Sequence, residues 1–347
     1  MSRRTLFVVW CAVCLAGAAG YVAVTTWHRV TPAAAPQTAV TLPQETSTLE
    51  PAERIELLYR RTALGETYGT LVLAALDSTG RARYFPGLRC ERVHFASGWG
   101  VCLTASRGVF TTYGAEVFDA GFERHHHLNL AGVPSRTRVS PDGRRAAITV
   151  FVSGHSYAAA NFSTQTIIID PSTGEILGDL EHYTIFKDGA PFRRPDFNFW
   201  GVTFTRNSDR FYATLRTAGM PHLIEGSISE RQAQLLREGV ECPALSPDNT
   251  RIAFKKRVGG AFPKWRLHVL EIGTGKETAL AETRSADDQV EWFDDHQIMY
   301  ALPEGTTRTS AVTNVWLTPA DGSGAPRLLV EGAYSPVVIR AHNDLPK

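Results

Sequence analysis

The sequence predicts an all-β protein, a six-bladed β-propeller preceded by one N-terminal apolar helix. Three observations support this fold class. Beyond residue 68, short runs rich in Val, Ile, Phe, Thr and Tyr alternate with Gly, Pro, Asp and Asn, a pattern typical of β-strands and turns. One strand-turn-strand segment recurs along this region, and the first and last segments of the region complement each other as parts of one repeat.

The N-terminal segment carries the membrane prediction. Residues 5–24 contain no charged side chain, and about 20 apolar residues in a helix span a bilayer. Because two arginines precede this run, residues 1–4 are expected in the cytoplasm and the rest of the chain outside. We therefore predict a transmembrane helix over residues 5–27 and a single-pass protein of the cell membrane. The alternative is a signal sequence cleaved near residues 16–18, which would give a secreted or periplasmic protein.

Two segments connect the apolar run to the strand region. Residues 28–50 hold three prolines and no aromatic side chain. Such a composition cannot bury enough apolar surface to fold, so we predict a flexible linker. In residues 51–68, Pro51 suits the first turn of a helix, and Ile55 and Leu58 follow helical spacing. A short helix is expected there as the lead-in to the propeller.

Two parts of the strand region match closely. Residues 138–148 and 244–254 each contain a strand, a Ser-Pro-Asp-Gly or Ser-Pro-Asp-Asn turn and a second strand. Pro fixes φ at the first central turn position, Asp accepts hydrogen bonds from the backbone amides ahead, and Gly or Asn tolerates a left-handed backbone. Weaker copies predict hairpins near residues 98, 207 and 295, so the turns recur every 41 to 65 residues. A unit of about 40–50 residues with several strands is propeller-blade spacing.

The ends of the region predict how the ring closes. Residues 71–80 resemble the third strand of a repeat with its turn, yet no Ser-Pro-Asp hairpin precedes them. Residues 333–339 resemble a first strand with little chain after it. Joined, they form one composite blade, so that five complete units and the composite give six blades over residues 69–340. Closure of the ring removes free sheet edges.

The Ser-Pro-Asp-Gly and Ser-Pro-Asp-Asn hairpins are followed by Ala-Ala-Ile and Ile-Ala-Phe. They resemble the repeats of TolB-type propellers, which also occur in enzymes similar to prolyl oligopeptidase. The resemblance covers residues 69–340 and implies a six-bladed propeller. Propellers of this type dock proteins, gate substrates and, less often, catalyse reactions. The α/β domain that precedes the propeller in TolB is expected to have no counterpart here, because only residues 31–68 lie between the apolar segment and the ring.

Composition and motifs exclude several function classes. The chain has 36 Lys and Arg against 35 Asp and Glu, which is not the basic excess of a nucleic-acid binder, so no such partner is expected. It contains no G-x-S-x-G nucleophile elbow and no H-E-x-x-H metal motif. Glu277 follows Gly275-Lys276, where a P-loop needs Ser or Thr. We therefore predict no catalytic residue, no cofactor and no metal ligand.

One histidine cluster has metal-ligating residue types. On a strand, His125 and His127 would point to the same face about 7 Å apart. A structural zinc site normally needs four ligands, and the sequence identifies no further partner nearby. An exposed outer strand is the favoured interpretation of this cluster.

An acidic run is the second candidate. Asp287, Asp288 and Glu291 are suited to calcium by residue type, yet they lack the ordered alternate spacing of a calcium loop. Aligned to the repeat, Asp294 and Asp295 fall in the turn between two strands, where Asp is favoured for its backbone hydrogen bonds. A structural role is therefore expected.

The five cysteines are too few for a disulfide scaffold. If a hairpin is centred near Gly98, the residue opposite Cys102 is about residue 95, which leaves Cys90 about 17 Å away at ~3.4 Å per residue. A disulfide between these two is therefore not expected. Cys242 lies three blades from Cys90, so isolated buried thiols are predicted.

These features predict a membrane-tethered, extracytoplasmic propeller that serves as a protein- or ligand-binding scaffold in a bacterial cell envelope. The partner is expected to be another envelope protein, and the N-terminal helix supplies the membrane contact. The alternative is a propeller enzyme, a hydrolase or lyase, with a site at the channel mouth, where side chains from several blades converge.

The irregular loop over residues 187–200 is the candidate contact surface. It lengthens one repeat interval to 65 residues, and long loops on a rigid scaffold often carry function. Its aromatic and basic side chains are Phe192, Arg193, Arg194, Phe197, Phe199 and Trp200. The aromatic members could instead pack against the domain, and the sequence leaves both interpretations open.

Overall fold

The structure is a computed structural model. It describes residues 55–76, 82–154, 162–259, 264–305 and 310–340, together with Thr5, Trp10 and residues 14–17. The chain divides into two units, Met1–Glu50 and Pro51–Lys347. The described residues include no helix long and apolar enough to cross a membrane. The predicted linker over residues 28–50 lies outside the described residues, as does most of the predicted span over residues 5–27.

The described part of the second unit consists of β-strands and one 3-10 turn at Leu180–His182. In chain order the strands are β1 (Ile55–Arg61), β2 (Thr70–Ala75), β3 (Ala82–Arg89), β4 (Arg92–Ala96), β5 (Trp99–Arg107), β6 (Thr111–Asp119), β7 (Arg124–Leu130), β8 (Val133–Val139), β9 (Ala146–Ser153), β10 (Ser163–Ile169), β11 (Ile176–Asp179), β12 (Thr184–Lys187) and β13 (Ala190–Phe192). They continue with β14 (Asn198–Phe204), β15 (Arg210–Thr217), β16 (Met220–Ser227), β17 (Gln232–Glu238), β18 (Glu241–Leu245), β19 (Arg251–Val258), β20 (Lys264–Glu271), β21 (Glu277–Ala279), β22 (Glu291–Trp292), β23 (Gln297–Pro303), β24 (Thr313–Pro319), β25 (Arg327–Val330) and β26 (Ala333–Arg340).

These strands form six sheets, which we number as blades 1 to 6. The four-stranded sheets are β26-β1-β2-β3 (blade 1), β4 to β7 (blade 2), β8 to β11 (blade 3), β18 to β21 (blade 5) and β22 to β25 (blade 6). Blade 4 has the order β14-β15-β16-β17-β12-β13, because β12 pairs in parallel with β17. The first strands β26, β4, β8, β14, β18 and β22 contact one another in ring order. They therefore surround a central channel, and the prediction of a six-bladed propeller is confirmed.

Ring closure places β26 and β2 in one blade as predicted, with β1 between them, so the blade begins before residue 69. β26 pairs antiparallel with β1, which places Leu58 opposite Val337. The helix predicted within residues 51–68 is wrong, because Ile55–Arg61 is a strand. The five central residues of this strand are all buried, since it is an inner strand of blade 1 and neighbouring blades pack on that sheet. A strand that is buried on both faces can carry apolar residues at any spacing, so helical spacing there does not indicate a helix.

The Ser-Pro-Asp turns form the hydrogen bonds that their residue types predict. Ser140 Oγ donates to Asp142 Oδ1 at 2.6 Å, and the same oxygen accepts the Arg144 amide at 3.1 Å. The matching turn of blade 5 repeats these contacts at 2.5 and 2.9 Å. Gly143 and Asn249 occupy the left-handed region at φ 72° and 62°, which Gly and Asn tolerate best.

Antiparallel pairing sends successive connections to alternate ends of each blade. The turns between first and second strands, at residues 97–98, 140–145, 205–209, 246–250 and 293–296, lie on one face of the ring, which we call the turn face. The hairpins between second and third strands, including residues 62–69, 108–110 and 218–219, lie on the other, which we call the opposite face.

Hydrogen bonds between neighbouring turns connect the blades on the turn face. Four of them are Ser97 Oγ to Pro141 O at 2.7 Å, Ser208 Oγ to Asp142 Oδ2 at 2.8 Å, Arg206 Nη2 to Pro247 O at 2.8 Å and the Asp248 amide to Asp295 Oδ1 at 2.9 Å. Arg340 Nη2 adds a bond of 2.8 Å from blade 1 to Phe293 O of blade 6. These bonds hold the turns of blades 2 to 6 in a fixed arrangement around the channel.

Apolar clusters fill the interfaces between adjacent blades. Leu58 of blade 1 packs with Phe95 and Phe118 of blade 2, and other clusters join each remaining pair of neighbours. Gly100 permits the first of these interfaces, because a Cβ at this residue would lie 2.1 Å from Phe118 Cζ. The core is therefore distributed around the ring and fixes the positions of the first strands.

Cys90 and Cys102 form a disulfide with Cα atoms 5.3 Å apart, so the expectation of separate thiols is wrong. The hairpin register places Val93 opposite Cys102, nearer to Cys90 than the register assumed from the sequence. The chain also bends before β4, where the Glu91 amide bonds to the Leu103 carbonyl at 2.6 Å. Cys242 is a buried free thiol, as predicted.

Candidate functional site

Charged side chains from different blades meet in the central channel. Arg92 of blade 2 donates to Asp288 Oδ1 at 2.6 Å. Glu291 of blade 6 pairs with Arg138 of blade 3, and His94 Nε2 lies 3.4 Å from the same carboxylate oxygen. All of these side chains are mostly buried. The first strands and the segment before β22 thus contribute a layer of ion pairs across the axis.

Lys255 extends this layer towards blade 5. Its side chain is fully buried, and Nζ pairs with Asp287 and lies 3.9 Å from Glu241 Oε2. Burial is the largest single influence on the pKa of Lys255 and acts to lower it, but the negative groups around the ammonium, Asp287 first and Glu241 after it, together outweigh burial and raise the pKa. Burial is likewise the largest single influence on the pKa of Asp287 and acts to raise it, but Lys255, Arg136 and Arg92 together outweigh burial and lower that pKa. The pair is therefore fully charged at neutral pH.

Burial and neighbouring charges also act in opposite directions on the pKa of Glu291. Burial disfavours its charged form, but Arg138 and His94 outweigh burial and hold the pKa of the Glu291 carboxyl below its usual value. A charged carboxylate in this position neutralises Arg138, whose Nη2 also donates to the Val290 carbonyl at 3.0 Å. The cross-channel contact therefore persists at neutral pH.

The ion-pair layer narrows the channel between two recesses. The space between the first strands of blades 1, 2, 3 and 6 measures only about 20 Å³, room for about one water molecule. A recess of about 450 Å³ opens on the turn face and one of about 510 Å³ on the opposite face. Each has the volume of a small-ligand site.

The turn-face recess is basic and has an apolar floor. All six blades line it, with Arg138, Arg206 and Arg340 against one lining carboxylate, that of Glu291. The apolar lining side chains are Phe95, Val139, Phe204, Leu245, Trp292, Val337 and Val338. Arg206 Nη2 bonds to the Pro247 carbonyl, and its exposed guanidinium has further N–H donors. This arrangement can accept an acidic group together with apolar side chains.

The recess on the opposite face is more evenly charged. Arg60, Asp287, Asp288 and Tyr334 line it. The Asp288 Oδ2 atom is buried and has no hydrogen-bond partner among the described residues. Arg92 stacks 4.2 Å from the centre of the Tyr334 ring, and burial raises the pKa of Tyr334. This recess therefore presents one open acceptor beside a neutral phenol.

The predicted contact loop runs from β13 at the outer edge of blade 4 to the first residues of the channel strand β14. Arg193 and Arg194 are exposed, whereas Phe192 and Phe197 are half-buried with ring centroids 5.4 Å apart. Their packing against the interface between blades 3 and 4 fits the alternative in which the aromatic residues cover the domain. A contact role for the two arginines remains a prediction.

Phe199 and Trp200 correct that prediction. Each is 1% exposed, because both lie in β14, the first strand of blade 4, instead of in the loop before it. Phe199 belongs to the interface between blades 3 and 4, and Trp200 packs edge-on against Phe162 with ring centroids 5.4 Å apart. They are core residues and are not available to a partner.

The histidine cluster occupies β7, the outer strand of blade 2, as predicted. His125 pairs with Asp119 and His127 with Glu116, both at 2.8 Å. His126 points away from them to the Ser172 carbonyl of blade 3 at 3.0 Å. Over the residues that the structure describes, no group of three or more ligand side chains is arranged for a metal ion.

The acidic run divides between two roles. Asp294 accepts the His296 and Gln297 amides at 2.7 and 2.8 Å in the predicted turn, whereas Asp287 and Asp288 enter the channel. Sequence reasoning missed the basic partners of the channel carboxylates, since they come from other blades. The available signal was the charged residues inside the first strands, such as Arg136 and Arg138 within β8.

These features define the class of protein: a closed six-bladed β-propeller whose channel is narrowed by ion pairs and opens into a recess at each end. No protein-family model matches the chain, and no curated protein matches it. Several solved structures are similar to the chain. TolB from Acinetobacter baumannii is similar over 82% of this chain and 66% of that one, at 18% identity and a TM-score of 0.57. The chain thus spans just under two thirds of that protein.

A chain of a nidogen/laminin complex is similar over 82% of this chain and 98% of that one, at 10% identity and a TM-score of 0.50. A puromycin-hydrolyzing peptidase of Mycobacterium tuberculosis is similar over 82% of this chain and 44% of that one, at 13% identity and a TM-score of 0.49. At these identities the likeness concerns the fold alone. The chain is a TolB-like six-bladed β-propeller in architecture, as the hairpin repeats indicated.

Proposed function

We propose that this protein is an extracytoplasmic binding scaffold of a bacterial cell envelope, tethered to the membrane by residues 5–27. It binds an acidic, partly apolar segment of a protein partner in the recess on the turn face. The single observation that carries the proposal is the composition of this recess, in which Arg138, Arg206 and Arg340 face one carboxylate above an apolar floor.

The construction of the recess favours binding of an extended segment. Side chains from all six blades reach it, so a ligand there contacts a surface that neighbouring turns hold in place. A preorganised surface loses little conformational entropy when it binds. The bonded turns around the rim supply that order, including the bond from Ser208 to Asp142 between blades 4 and 3.

Two observations support the proposed setting. The disulfide between Cys90 and Cys102 is buried at 2% and 0% exposure, and disulfides of this kind belong to oxidising compartments outside the cytoplasm. One structural neighbour comes from a complex of nidogen with laminin, two proteins that assemble with each other. Both observations support the proposal of a protein-binding ring outside the cytoplasm.

The binding site is tested with a random decapeptide library displayed on phage and panned against the full-length protein. We expect enrichment of peptides that combine Asp or Glu with apolar residues. Arg206→Glu places a like charge in the recess, so it should weaken the selected peptides by at least tenfold. Arg144→Glu is the control, because Arg144 is exposed on the same face and does not line the recess. Enrichment of basic peptides, or equal binding to both variants, would contradict the proposed site.

The setting is tested in cells. Alkaline phosphatase fused after Lys347 is expected to be active, because this enzyme folds only outside the cytoplasm, and Cys90 should resist alkylation until a reductant is added. The N-terminal mass of the recovered protein then separates the two forms of export. A chain that retains residues 1–24 is anchored, and one that starts beyond Ala18 is secreted. An inactive fusion with freely alkylated Cys90 would reject the extracytoplasmic location.

A further inference from the structure

A third cavity lies away from the channel axis, on the opposite face of the ring. It measures about 560 Å³ and is lined by residues of blades 3, 4 and 5, a volume within the range of small-molecule sites. The hairpin between β15 and β16 forms one wall with Met220 and Pro221, and the end of β19 forms another with Lys256 and Arg257. None of the residues that line the turn-face recess belongs to it.

Aromatic and sulfur-containing side chains give this cavity an apolar interior. Trp200 and Phe162 meet edge to face with ring centroids 5.4 Å apart, and both are at most 7% exposed. Met220 stands at the rim with 43% of its surface exposed. A thioether beside aromatic rings adapts to flat apolar ligands, so the cavity suits a compact aromatic body.

Arg216 supplies a cation at the edge of this interior. Its guanidinium lies 4.9 Å from the centre of the Phe162 ring, and among the described residues it has no carboxylate or carbonyl partner. Arg210, on the same strand, differs from Arg216 because it has a carboxylate partner, with its Nε 3.7 Å from Glu225 Oε1. A half-buried guanidinium stacked on a ring keeps its planar N–H edge for a carboxylate, which it binds with two parallel hydrogen bonds.

The other charged groups of the cavity are occupied by neighbours. Lys256 Nζ bonds to Glu277 at 2.7 Å. Glu241 accepts Trp265 Nε1 at 3.3 Å and faces Lys255. The Glu238 carboxylate lies 3.6 Å from His222 on the outer side. Arg257 is exposed, and its guanidinium lies 5.1 Å from the centre of the Trp265 ring. Arg216 is therefore the half-buried cation whose charge remains for a ligand.

We propose that this cavity is a binding site for a small carboxylic acid with an aromatic body. The aromatic body inserts between Met220 and the Trp200–Phe162 pair, and the carboxylate pairs with Arg216. The site is independent of the turn-face recess, because it lies on the other face and shares no lining residue with it. A result that excludes ligand binding at one site therefore does not exclude binding at the other.

The test uses indole-3-acetate and phenylacetate, each with its primary amide, against the full-length protein. Ligand-observed NMR and calorimetry report binding. The acids are expected to bind at least tenfold more tightly than the amides, since the amides have the same shape without the charge. Arg216→Met retains the length and apolar stem of the side chain and should remove that preference. Arg210→Met is the matched control on the same strand and should retain it.

A second variant tests the site at an exposed residue, where a substitution is not expected to affect folding. Met220→Glu changes an exposed residue at the rim and should repel the acids without affecting the thermal midpoint. Three outcomes would overturn the proposal: no binding of either acid at millimolar concentration, equal binding of acid and amide, or loss of binding in Arg206→Met instead of Arg216→Met. The last result would place the acids in the turn-face recess.

Discussion

The two faces of the ring are built from the same repeat, yet they differ in order and in chemistry. On the turn face, short turns rich in Ser, Asp and Asn bond from blade to blade, as Ser97 does to Pro141 and Arg206 to Pro247. The residues that specify each turn also connect it to the next blade. This face is polar and continuous around most of the ring.

The opposite face carries hairpins of unequal length with apolar tips. Leu64, Val109 and Phe110 are 76%, 86% and 83% exposed, and Met220 is 43% exposed. These tips belong to blades 1, 2 and 4, whose hairpins share no turn sequence. The difference teaches that the local turn motif fixes one face of a propeller, whereas the other face is free to vary and to acquire separate sites.

Removal of the strand that closes the ring should have the largest effect. Deletion of residues 333–347 eliminates β26, exposes the partner edge of β1 and opens the interface between blades 1 and 2. We expect loss of the cooperative thermal transition and aggregation on size exclusion. Deletion of residues 341–347 alone is the control and should retain the wild-type transition. An unchanged transition in the longer deletion would show that closure does not stabilise the ring.

Lys255→Met tests the ion pairs at the end of the channel on the opposite face. The substitution leaves Asp287 and Glu241 without their buried cation, and breaking a buried pair in this way costs about 3–5 kcal/mol of unfolding free energy. Urea denaturation measures the change. Lys264→Met removes an exposed charge near the same face and should stay within about 0.5 kcal/mol of wild type. Equal effects of the two variants would contradict a structural role for the Lys255 pairs.

Local chemistry explains which parts of this fold could be predicted from the sequence. Asp142 and Asp248 form their turns with residues a few positions away, so the hairpins and their spacing are visible in the chain. The strand β1 was mistaken for a helix because Glu56 and Arg60, although buried, interrupt its apolar residues. Their partners come from elsewhere, such as the Cys90 carbonyl that Arg60 Nε contacts at 2.5 Å.

The channel site could not be predicted in the same way. Arg92 and Asp288 are 196 positions apart in the chain, and Arg138 and Glu291 are 153 apart. Only closure of the ring brings such residues together, and a one-residue error in register relocates every side chain. The Cys90 disulfide was missed for the related reason that a bend before β4 changes the distance to β5.

The contact of Glu291 with Arg138 in the channel predicts that the free energy of unfolding depends on pH. Its pKa is lowered in the folded protein, so its contribution to stability is complete above the unfolded value of about 4.3 and is lost as the pH falls through the lower folded value. Glu291→Gln should lose about 2 kcal/mol at pH 7, and the difference from wild type should shrink towards pH 2. Urea denaturation across this range measures it. Glu331→Gln, at an exposed position, is the control, and a pH-independent difference for Glu291→Gln would contradict this assignment.

The smallest effects should come from single turn residues, one on each face. Asn249 on the turn face and Ala218 on the opposite face have φ of 62° and 51°, a conformation that costs most L-residues about 1–2 kcal/mol and Asn less. Asn249→Ala should therefore lower the unfolding free energy by about 1 kcal/mol, whereas Ala218→Asn should raise it by about 0.5 kcal/mol. The Ala218 amide bond to Asp196 Oδ2, 2.6 Å long, is available to either residue, so backbone conformation is the variable at Ala218. Asn249→Ala also removes two side-chain hydrogen bonds of 3.1 Å, one from the Arg206 amide and one to the Pro247 carbonyl. Thermal midpoints that shift in the same direction for both variants would show that turn residues on the two faces are under the same constraint, and that the contrast between them lies elsewhere.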